Sequence, residues 1–366
     1  MKFTIIREEL LKPLYQVNTT LSGKPKLPIL ANILLKINNQ ILLLITTDLE
    51  IEIIAKILIT ENSENGSITV SARKFYDICR GLPKNSIIKI RLNNNKLIIK
   101  SNKSTFILST LPSSDFPNLD NWNGNFKCQI AEIYLKDLIE STQFSMASND
   151  IRYYLNGMLI EITNNEIRSI TTDGHRLAFS YVNIDQNLHS HSIIIPRKSI
   201  SELIRLLNDS NNMILIESNN NNIRFHINNL IFTSKLIDGQ FPDYHRILSN
   251  KSNKILTACR EELKKAFIRS AILSNNKFQG SKLTLNNNQL KITSNNFEDD
   301  TSEEVIEVNY PYEMLEINFN INYIIDVLNI LKCKDIKCFF NNANSSIKIE
   351  SAYNATSSYI IMPIRI

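Results

Sequence analysis

Ile45-Thr46-Thr47-Asp48 returns 125 positions later as Ile170-Thr171-Thr172-Asp173, and Asp115-Phe116-Pro117-Asn118 returns at the same spacing as Gln240-Phe241-Pro242-Asp243. Arg73-Lys74 has its counterpart in Arg197-Lys198, 124 positions on. A third, more diverged copy carries Ile292-Thr293-Ser294-Asn295. It ends on Tyr359-Ile360-Ile361-Met362-Pro363, where earlier copies have Phe106-Ile107-Leu108-Ser109-Thr110 and Phe232-Thr233-Ser234-Lys235. A period of this length decides the fold before any motif is read, because each unit of about 125 residues is of ordinary domain size. The 366 residues divide into three copies of one domain, with boundaries expected at 1–125, 126–253 and 254–366.

Local signals agree with the period. Asn tolerates the left-handed backbone that tight hairpins require, so Asn clusters between β-rich runs read as turns. Six, two per copy, are read in this way: Asn38-Asn39, Asn93 to Asn95, Asn164-Asn165, Asn219 to Asn222, Asn286 to Asn288 and Asn341-Asn342. Their flanks, such as Lys89-Ile90-Arg91-Leu92 and Ile223-Arg224-Phe225-His226-Ile227, are short, β-branched and partly alternating, as half-buried strands are. Each copy also holds two segments of helical period. Leu10, Leu14 and Val17, then Phe75, Ile78, Cys79 and Leu82, mark the first pair. Leu135, Leu138, Ile139 and Thr142, then Ile200, Leu203, Ile204 and Leu207, mark the second. Leu263, Ala266, Phe267 and Ser270, then Ile324, Val327, Leu328 and Leu331, mark the third. Helix starts are expected near residues 7, 132 and 261, and near 72, 197 and 320, with Pro13 bending or delaying the first. The class is α+β: three repeated domains, each with two helices and two small antiparallel sheets.

The remaining helix faces are basic. Arg73 and Arg80 are seven apart, as are Lys198 and Arg205, and Lys265 and Arg269 are four apart, so each pair projects from one face. Arg7, Lys12, Arg197, Lys136, Lys264 and Lys332 add to the set, while acidic residues gather at Glu298-Asp299-Asp300 and Glu303-Glu304. With 41 basic against 36 acidic residues the net charge is only +5. Distribution rather than total therefore suggests a positive helical layer that would meet phosphates without reading sequence. The abundance of Asn, Ile and Lys reads as the imprint of an AT-rich genome.

Several classes are unsupported. Five scattered cysteines without a C-x-x-C pair offer no disulfide framework and no zinc ribbon. No apolar run approaches the roughly 18 residues of a membrane span. The N-terminus turns charged at Arg7-Glu8-Glu9 and lacks a signal peptide's apolar core. A cytoplasmic location and no membrane partner are expected. No G-x-S-x-G, Walker loop or H-E-x-x-H occurs, and no cofactor or metal is expected. His189-x-His191 lacks a third ligand. Only Asp173-Gly174-His175-Arg176 has the look of an active site, which leaves a DNA-repair or nucleotide-processing enzyme using Asp173 and His175 as the competing alternative.

Longer motifs carry a resemblance. Ser71-Ala72-Arg73-Lys74-Phe75-Tyr76-Asp77-Ile78-Cys79-Arg80-Gly81-Leu82-Pro83, Arg152-Tyr153-Tyr154-Leu155-Asn156-Gly157 and Thr172-Asp173-Gly174-His175-Arg176-Leu177 resemble the beta subunit of bacterial DNA polymerase III, close to the enterobacterial form. Phe241-Pro242-Asp243-Tyr244 and Met362-Pro363-Ile364-Arg365 extend the likeness along the whole chain. The resemblance implies a non-catalytic DNA sliding clamp. In that family two chains close head to tail into a six-domain ring around double-stranded DNA, with twelve helices lining the hole. Twelve helices roughly 10 Å wide give a circle of about 120 Å and a hole of roughly 28 Å, enough for a hydrated duplex.

The resemblance also implies sites and partners. A groove for the short peptide of clamp-binding proteins matches Leu155, Thr172, Gly174, His175, Arg176, Leu177, Pro242, Arg246, Ile247, Ser346, Ile360, Ile361, Met362, Pro363, Ile364 and Arg365, with Asn344 at a position that is apolar in the family. The implied partners are the polymerase III alpha subunit, the clamp-loader delta subunit, repair polymerases, ligase and mismatch-repair proteins. The dimer contact matches Phe106 and Leu108 at one end and Ile272 and Leu273 at the other, with Lys74, Lys96 and Lys103 opposing Glu298, Glu303 and Glu304. Thr105 stands at a basic family position. Lys24, Asn149, Tyr153 and Tyr154 match positions near DNA, and Ser148 replaces a more strongly interacting residue.

Overall fold

The computed structural model describes all residues except 22–26, 61–62, 118–121, 123, 250–251, 275–279, 297–299 and 365–366, and the side chains of Thr20 and Leu21. Lys24, Glu298 and Arg365 therefore lie outside the described residues. Among those described, seven α-helices occur: α1 (Arg7–Val17), α2 (Ala72–Gly81), α3 (Glu132–Thr142), α4 (Arg197–Leu206), the short α5 (His245–Leu248), α6 (Arg260–Ala271) and α7 (Ile321–Ile330). None of them is long and apolar enough to cross a membrane. Six start within a residue of the positions read from periodicity. In α2 the reason is plain: Ala72, Phe75 and Cys79 are buried at helical spacing, while Arg73, Lys74, Asp77 and Arg80 take the opposite face. Helix α7 is capped by Asn320, whose side chain accepts the Asn322 N–H at 3.0 Å.

Pro13 does not delay α1, which starts at Arg7 and runs through it. The ring is buried on the core side with Leu10, Leu14 and Val17. The carbonyl deprived of its donor belongs to Glu9, an exposed residue on the solvent side of the helix.

The chain forms two compact units, residues 1–133 with 201–236, and residues 134–200 with 237–366. The first is built on one 12-stranded antiparallel sheet, in which strand Ile51–Leu58 of the first repeat pairs with Leu230–Lys235 of the second. The second unit holds a six-stranded and a four-stranded sheet. In the six-stranded one, Arg176–Pro196 of the second repeat pairs with Ser357–Ile361 of the third. The small sheets of successive repeats thus run on into one another, because an open strand edge exposes unpaired N–H and C=O groups that a neighbouring edge can satisfy.

Asn turns occur where expected with one exception. Asn39 with Gln40, Asn94 with Asn95 and Asn287 with Asn288 take positive φ between paired strands. Asn219 instead caps its turn by accepting the N–H groups of Asn221 and Asn222. Asn164-Asn165 is not a hairpin. It lies inside strand Gly157–Thr172 at a register shift, with Asn164 at φ 47°, so the left-handed residue makes a bulge in a continuous strand. Lone Asn102 and Asn228, which is followed by Asn229, also take positive φ and close two further hairpins.

Gly157 opens the strand that carries the site below. A Cβ there would lie 2.7 Å from Ile194 Cγ2 and from the Ile195 carbonyl oxygen, and 2.9 Å from Ile237 Cδ1. Gly157→Ala should therefore destabilise by about 1–3 kcal/mol through overpacking. Gly81→Ala, with nothing within 4 Å of its Cβ, should change stability by less than about 1 kcal/mol. Chemical denaturation of both variants checks the contrast.

Candidate functional site

The segment Thr172 to Arg176 turns strand Gly157–Thr172 into strand Arg176–Pro196. Thr172 Oγ1 donates to the Arg176 carbonyl at 2.6 Å and accepts the Gly174 N–H at 3.0 Å. Asp173 Oδ1 accepts the N–H groups of His175 and Arg176 at 2.9 and 3.0 Å, while Oδ2 accepts Arg176 Nε at 3.0 Å. Gly174 sits at φ 90°, and a Cβ there would come within 3.0 Å of the Arg152 guanidinium.

The same construction recurs in the first repeat. Thr47 Oγ1 donates to the Ile51 carbonyl and accepts the Leu49 N–H, and Asp48 Oδ1 accepts the N–H groups of Glu50 and Ile51. That turn contains no histidine. Asp173 is a turn-closing carboxylate whose oxygens are committed, and the Asp173–His175 pair is not an active site.

Arg176 ties this turn to the third repeat. It donates to Asp326 Oδ2 at 2.6 Å and to the Phe144 carbonyl at 2.9 Å, and its guanidinium stands 4.4 Å from the Tyr323 ring centre and 5.3 Å from that of Phe144.

Beside the turn opens a cleft of about 170 Å³. Leu155, Thr172, Gly174, His175, Arg176, Leu177, Pro242, Ile247, Ile360 and Met362 line it together, as do Arg152, Tyr154, Phe241, Asp243 and Tyr244. Its floor is a small cluster of Leu159, Ile170, Leu177, Ile194, Tyr244 and Ile360. The C-terminal segment is pinned as one wall by Met362 N–H to the His175 carbonyl at 2.9 Å, and by Ile364 N–H to the Asn318 carbonyl at 2.8 Å. Tyr244 donates to Glu161 at 2.6 Å, and burial followed by that carboxylate raises its pKa, so the phenol stays neutral. At the rim, Arg152 grips Asp150 with two bonds of 2.9 and 3.0 Å and holds that carboxyl down at about 2. The latch is intact above the ordinary value of 3.8 and is lost as pH falls through about 2.

Other residues matched to the groove stand elsewhere. Ile361 alternates away from Ile360 and is buried in the core of the third repeat. Arg246 is exposed on α5, and Asn344 is exposed on the turn before strand Ile347–Ser351, its N–H bonded to Asn342 Oδ1. Ser346, Pro363 and Ile364 are half-buried and do not line the cleft. Arg152, Phe241, Asp243 and Tyr244 line it without having been expected there; Phe241-Pro242-Asp243-Tyr244, with an aromatic at each end, was the available signal.

On the helices, Arg73 and Arg80 project from α2 with side chains 93% and 63% exposed, and Asp77 lies between them, 3.0 Å from Arg80. Arg80 also covers the Tyr76 ring at 5.5 Å. Arg205 on α4 is exposed and paired with Glu202 at 3.0 Å, and Lys198 is exposed. Arg197 donates to the Met146 carbonyl at 2.6 Å and the Ala147 carbonyl at 3.2 Å, and so tethers the segment that leads into Ser148, Asn149, Tyr153 and Tyr154. Asn149 is exposed at φ 59°, and Tyr153 stacks edge-on against Tyr154 at 5.8 Å.

Two open strand edges carry the residues expected at a contact with a second copy. Strand Ser104–Leu111 pairs with Gly66–Ser71 only through Thr110 and Leu111, leaving the edge at Ser104 to Ser109 free, with Phe106 and Leu108 half-buried and Lys74, Lys96, Lys103 and Thr105 exposed. Strand Thr301–Glu307 is the terminal strand of the four-stranded sheet, near α6 and the exposed Ile272, with Leu273 half-buried. Its Glu304 is held by Arg269 in a double bond of 2.6 and 2.8 Å, and Glu303 meets Lys291 at 2.6 Å. Of the three carboxylates expected to face another chain, the two that are described are thus already paired within this one.

Family models of the DNA polymerase III beta subunit match the chain in three pieces: the N-terminal domain over residues 1–120, the central domain over 129–243 and the C-terminal domain over 245–365. The chain is 50% identical to the beta sliding clamp of Proteus mirabilis and 48% identical to that of Escherichia coli K12, covering all of each. The crystal structure of the DNA polymerase III subunit beta from Pseudomonas aeruginosa superposes with a TM-score of 0.98 at 42% identity, again over the whole of both chains.

Arg176→Ala should lower stability by about 3 kcal/mol or more, because Asp173 and Asp326 are then left without their shared cation. His175→Ala should stay within about 0.5 kcal/mol of the parent. Urea unfolding of the two variants distinguishes a structural turn from a catalytic pair.

Proposed function

From the premise that this chain belongs to the DNA polymerase III beta-subunit family, and so is a non-catalytic DNA sliding clamp that pairs with its own copy and serves a DNA polymerase, we propose how its surfaces divide that work. The cleft beside Thr172–Arg176 takes a short extended peptide from the polymerase III alpha subunit, the clamp-loader delta subunit, repair polymerases, ligase and mismatch-repair proteins. The observation that carries this is an apolar floor of Leu177, Tyr244 and Ile360, with Leu155 beside it, open to solvent and with Pro242, Ile247 and Met362 at its mouth. Aliphatic and aromatic anchors gain most of their affinity in such pockets, and the pinned C-terminal wall reduces the ordering cost of binding. Asn344 borders the reading as a polar position on the path of the peptide beyond the cleft.

Two copies close head to tail into a six-domain ring by bringing the open edge at Ser104 to Ser109 against the open edge of Thr301–Glu307. Phe106 and Leu108 meet Ile272 and Leu273 there. Thr105 and the internally paired Glu303 and Glu304 leave few charges for cross-pairs, and exposed pairs contribute only about 0–1 kcal/mol each, so apolar contact and strand pairing dominate closure. Arg73, Arg80, Lys198 and Arg205, with Lys24, Asn149, Tyr153 and Tyr154, contact duplex DNA without reading its sequence. Arg197 acts chiefly by tethering the aromatic segment. The three domains span 1–125, 126–253 and 254–366, and the protein works in the cytoplasm.

Deletion of Met362–Ile366 should abolish binding of a fluorescein-labelled clamp-motif peptide in anisotropy titrations, while Asn344→Val should tighten a hydrophobic peptide by about 1 kcal/mol if that side chain meets an anchor. Unchanged affinity after the truncation removes the cleft from the account.

Light scattering should give a particle near 84 kDa, twice the 42.1 kDa chain, retained on circular DNA and lost on linearisation. Ile272→Ala with Leu273→Ala should yield monomers, since truncating such anchors costs about 2 kcal/mol or more at a contact. A dimer persisting at nanomolar concentration would place closure elsewhere.

A further inference from the structure

The outer face of strands Lys2–Ile6, Ile87–Asn93, Lys96–Ser101 and Ser104–Leu111 carries a pattern that neither DNA contact nor the cleft uses. Register sets Thr4 opposite Lys89, Lys89 opposite Lys100 and Lys100 opposite Thr105. In the next row it sets Lys2 opposite Arg91, Arg91 opposite Ile98 and Ile98 opposite Ile107. The alternate residues Phe3, Ile5, Ile88, Ile90, Leu97 and Ile99 are buried, so both rows stand on the solvent side. Lys89, Arg91 and Lys100 are exposed, and Ile107 is 58% exposed.

Neither row contains an acidic residue. Among the described residues Lys89, Arg91 and Lys100 form no ion pair, and Lys2 reaches Glu64 at 3.7 Å. Lysines directly opposite on one face of a sheet repel, and the neighbouring Ile98–Ile107 pair leaves aliphatic surface in water. A single kind of occupant relieves both costs.

We propose that this face docks an acidic segment of a partner protein, whose carboxylates meet Lys89, Arg91 and Lys100 while its aliphatic side chains cover Ile98 and Ile107. Isoleucines beside the cations favour protein over nucleic acid, because a phosphate backbone offers nothing to an aliphatic pair. Thr105 and Ile107 belong to the strand whose backbone edge is proposed to close the ring, but their side chains stand on its solvent face, and the cleft belongs to the other compact unit. Its occupant therefore binds whether or not a peptide fills the cleft.

The test is anisotropy titration of the full-length protein with a labelled synthetic peptide alternating Glu and Leu. Binding should weaken about tenfold in Lys89→Gln/Arg91→Gln/Lys100→Gln and in Ile98→Ser/Ile107→Ser, and should be unmoved by deletion of Met362–Ile366, which keeps this result apart from the cleft. Lys100→Glu alone should raise the thermal midpoint, by pairing with Lys89, and still weaken the peptide. The proposal is overturned if the peptide does not bind, if polyglutamate binds as tightly, or if the charge variants lose a duplex oligonucleotide and keep the peptide. A thermal midpoint unchanged in Lys100→Glu would equally remove its electrostatic premise.

Discussion

Much of this molecule depends on how one guanidinium is satisfied. Arg176 is mostly enclosed, and an enclosed cation is tolerable only when its donors and its charge are met. Asp173 meets it from its own turn, Asp326 from a helix 150 residues further on, and Phe144 through its carbonyl, while the Tyr323 and Phe144 rings flank it. The turn, the segment after α3 and helix α7 are thereby fixed against one another. His175 follows Asp173 in that rigid turn, and its carbonyl receives Met362, so the wall of the cleft inherits the same constraint.

Hydrogen bonds hold the rim around an apolar floor. For the peptide proposed above, a cleft held in this way has little conformational freedom to lose on binding. Tyr244 shows the same economy from beneath: its ring supplies apolar floor, and its hydroxyl is discharged onto Glu161 rather than left unpaired. The rim adds polar groups to this apolar mouth, with the Arg152–Asp150 latch and His175 at the surface.

Backbone hydrogen bonding explains how three similar domains become larger assemblies. Each repeat leaves strand edges, and inside the chain these are paired across repeats, giving a 12-stranded and a six-stranded sheet. Among the edges left without a partner strand are Ser104 to Ser109 and Thr301–Glu307, the two proposed above to meet a second copy. Charges near them are largely neutralised internally, Glu304 by Arg269 and Glu303 by Lys291, which leaves shape and apolar contact to govern the proposed closure.

The sequence alone determined the threefold repeat, the α+β class, six helix starts and most hairpins, because these are set by spacing within a few residues: Phe75 and Cys79 on one helix face, Asn94 and Asn95 at a turn. The likeness of its motifs to a known family named the cleft as a region. Tertiary structure decided what depends on partners distant in the chain. Asn164 became a bulge because Arg176–Pro196 pairs along the whole of its strand. Ile360 faces the cleft and Ile361 the core because the last strand is held between Arg176–Pro196 and Ile347–Ser351. Asp173, which resembles a catalytic acid in the linear sequence, is consumed by its own turn and by Arg176. Spacing records which side chains share a local face, but only the folded registers determine which groups, a hundred or more residues apart, satisfy one another's hydrogen bonds and charges.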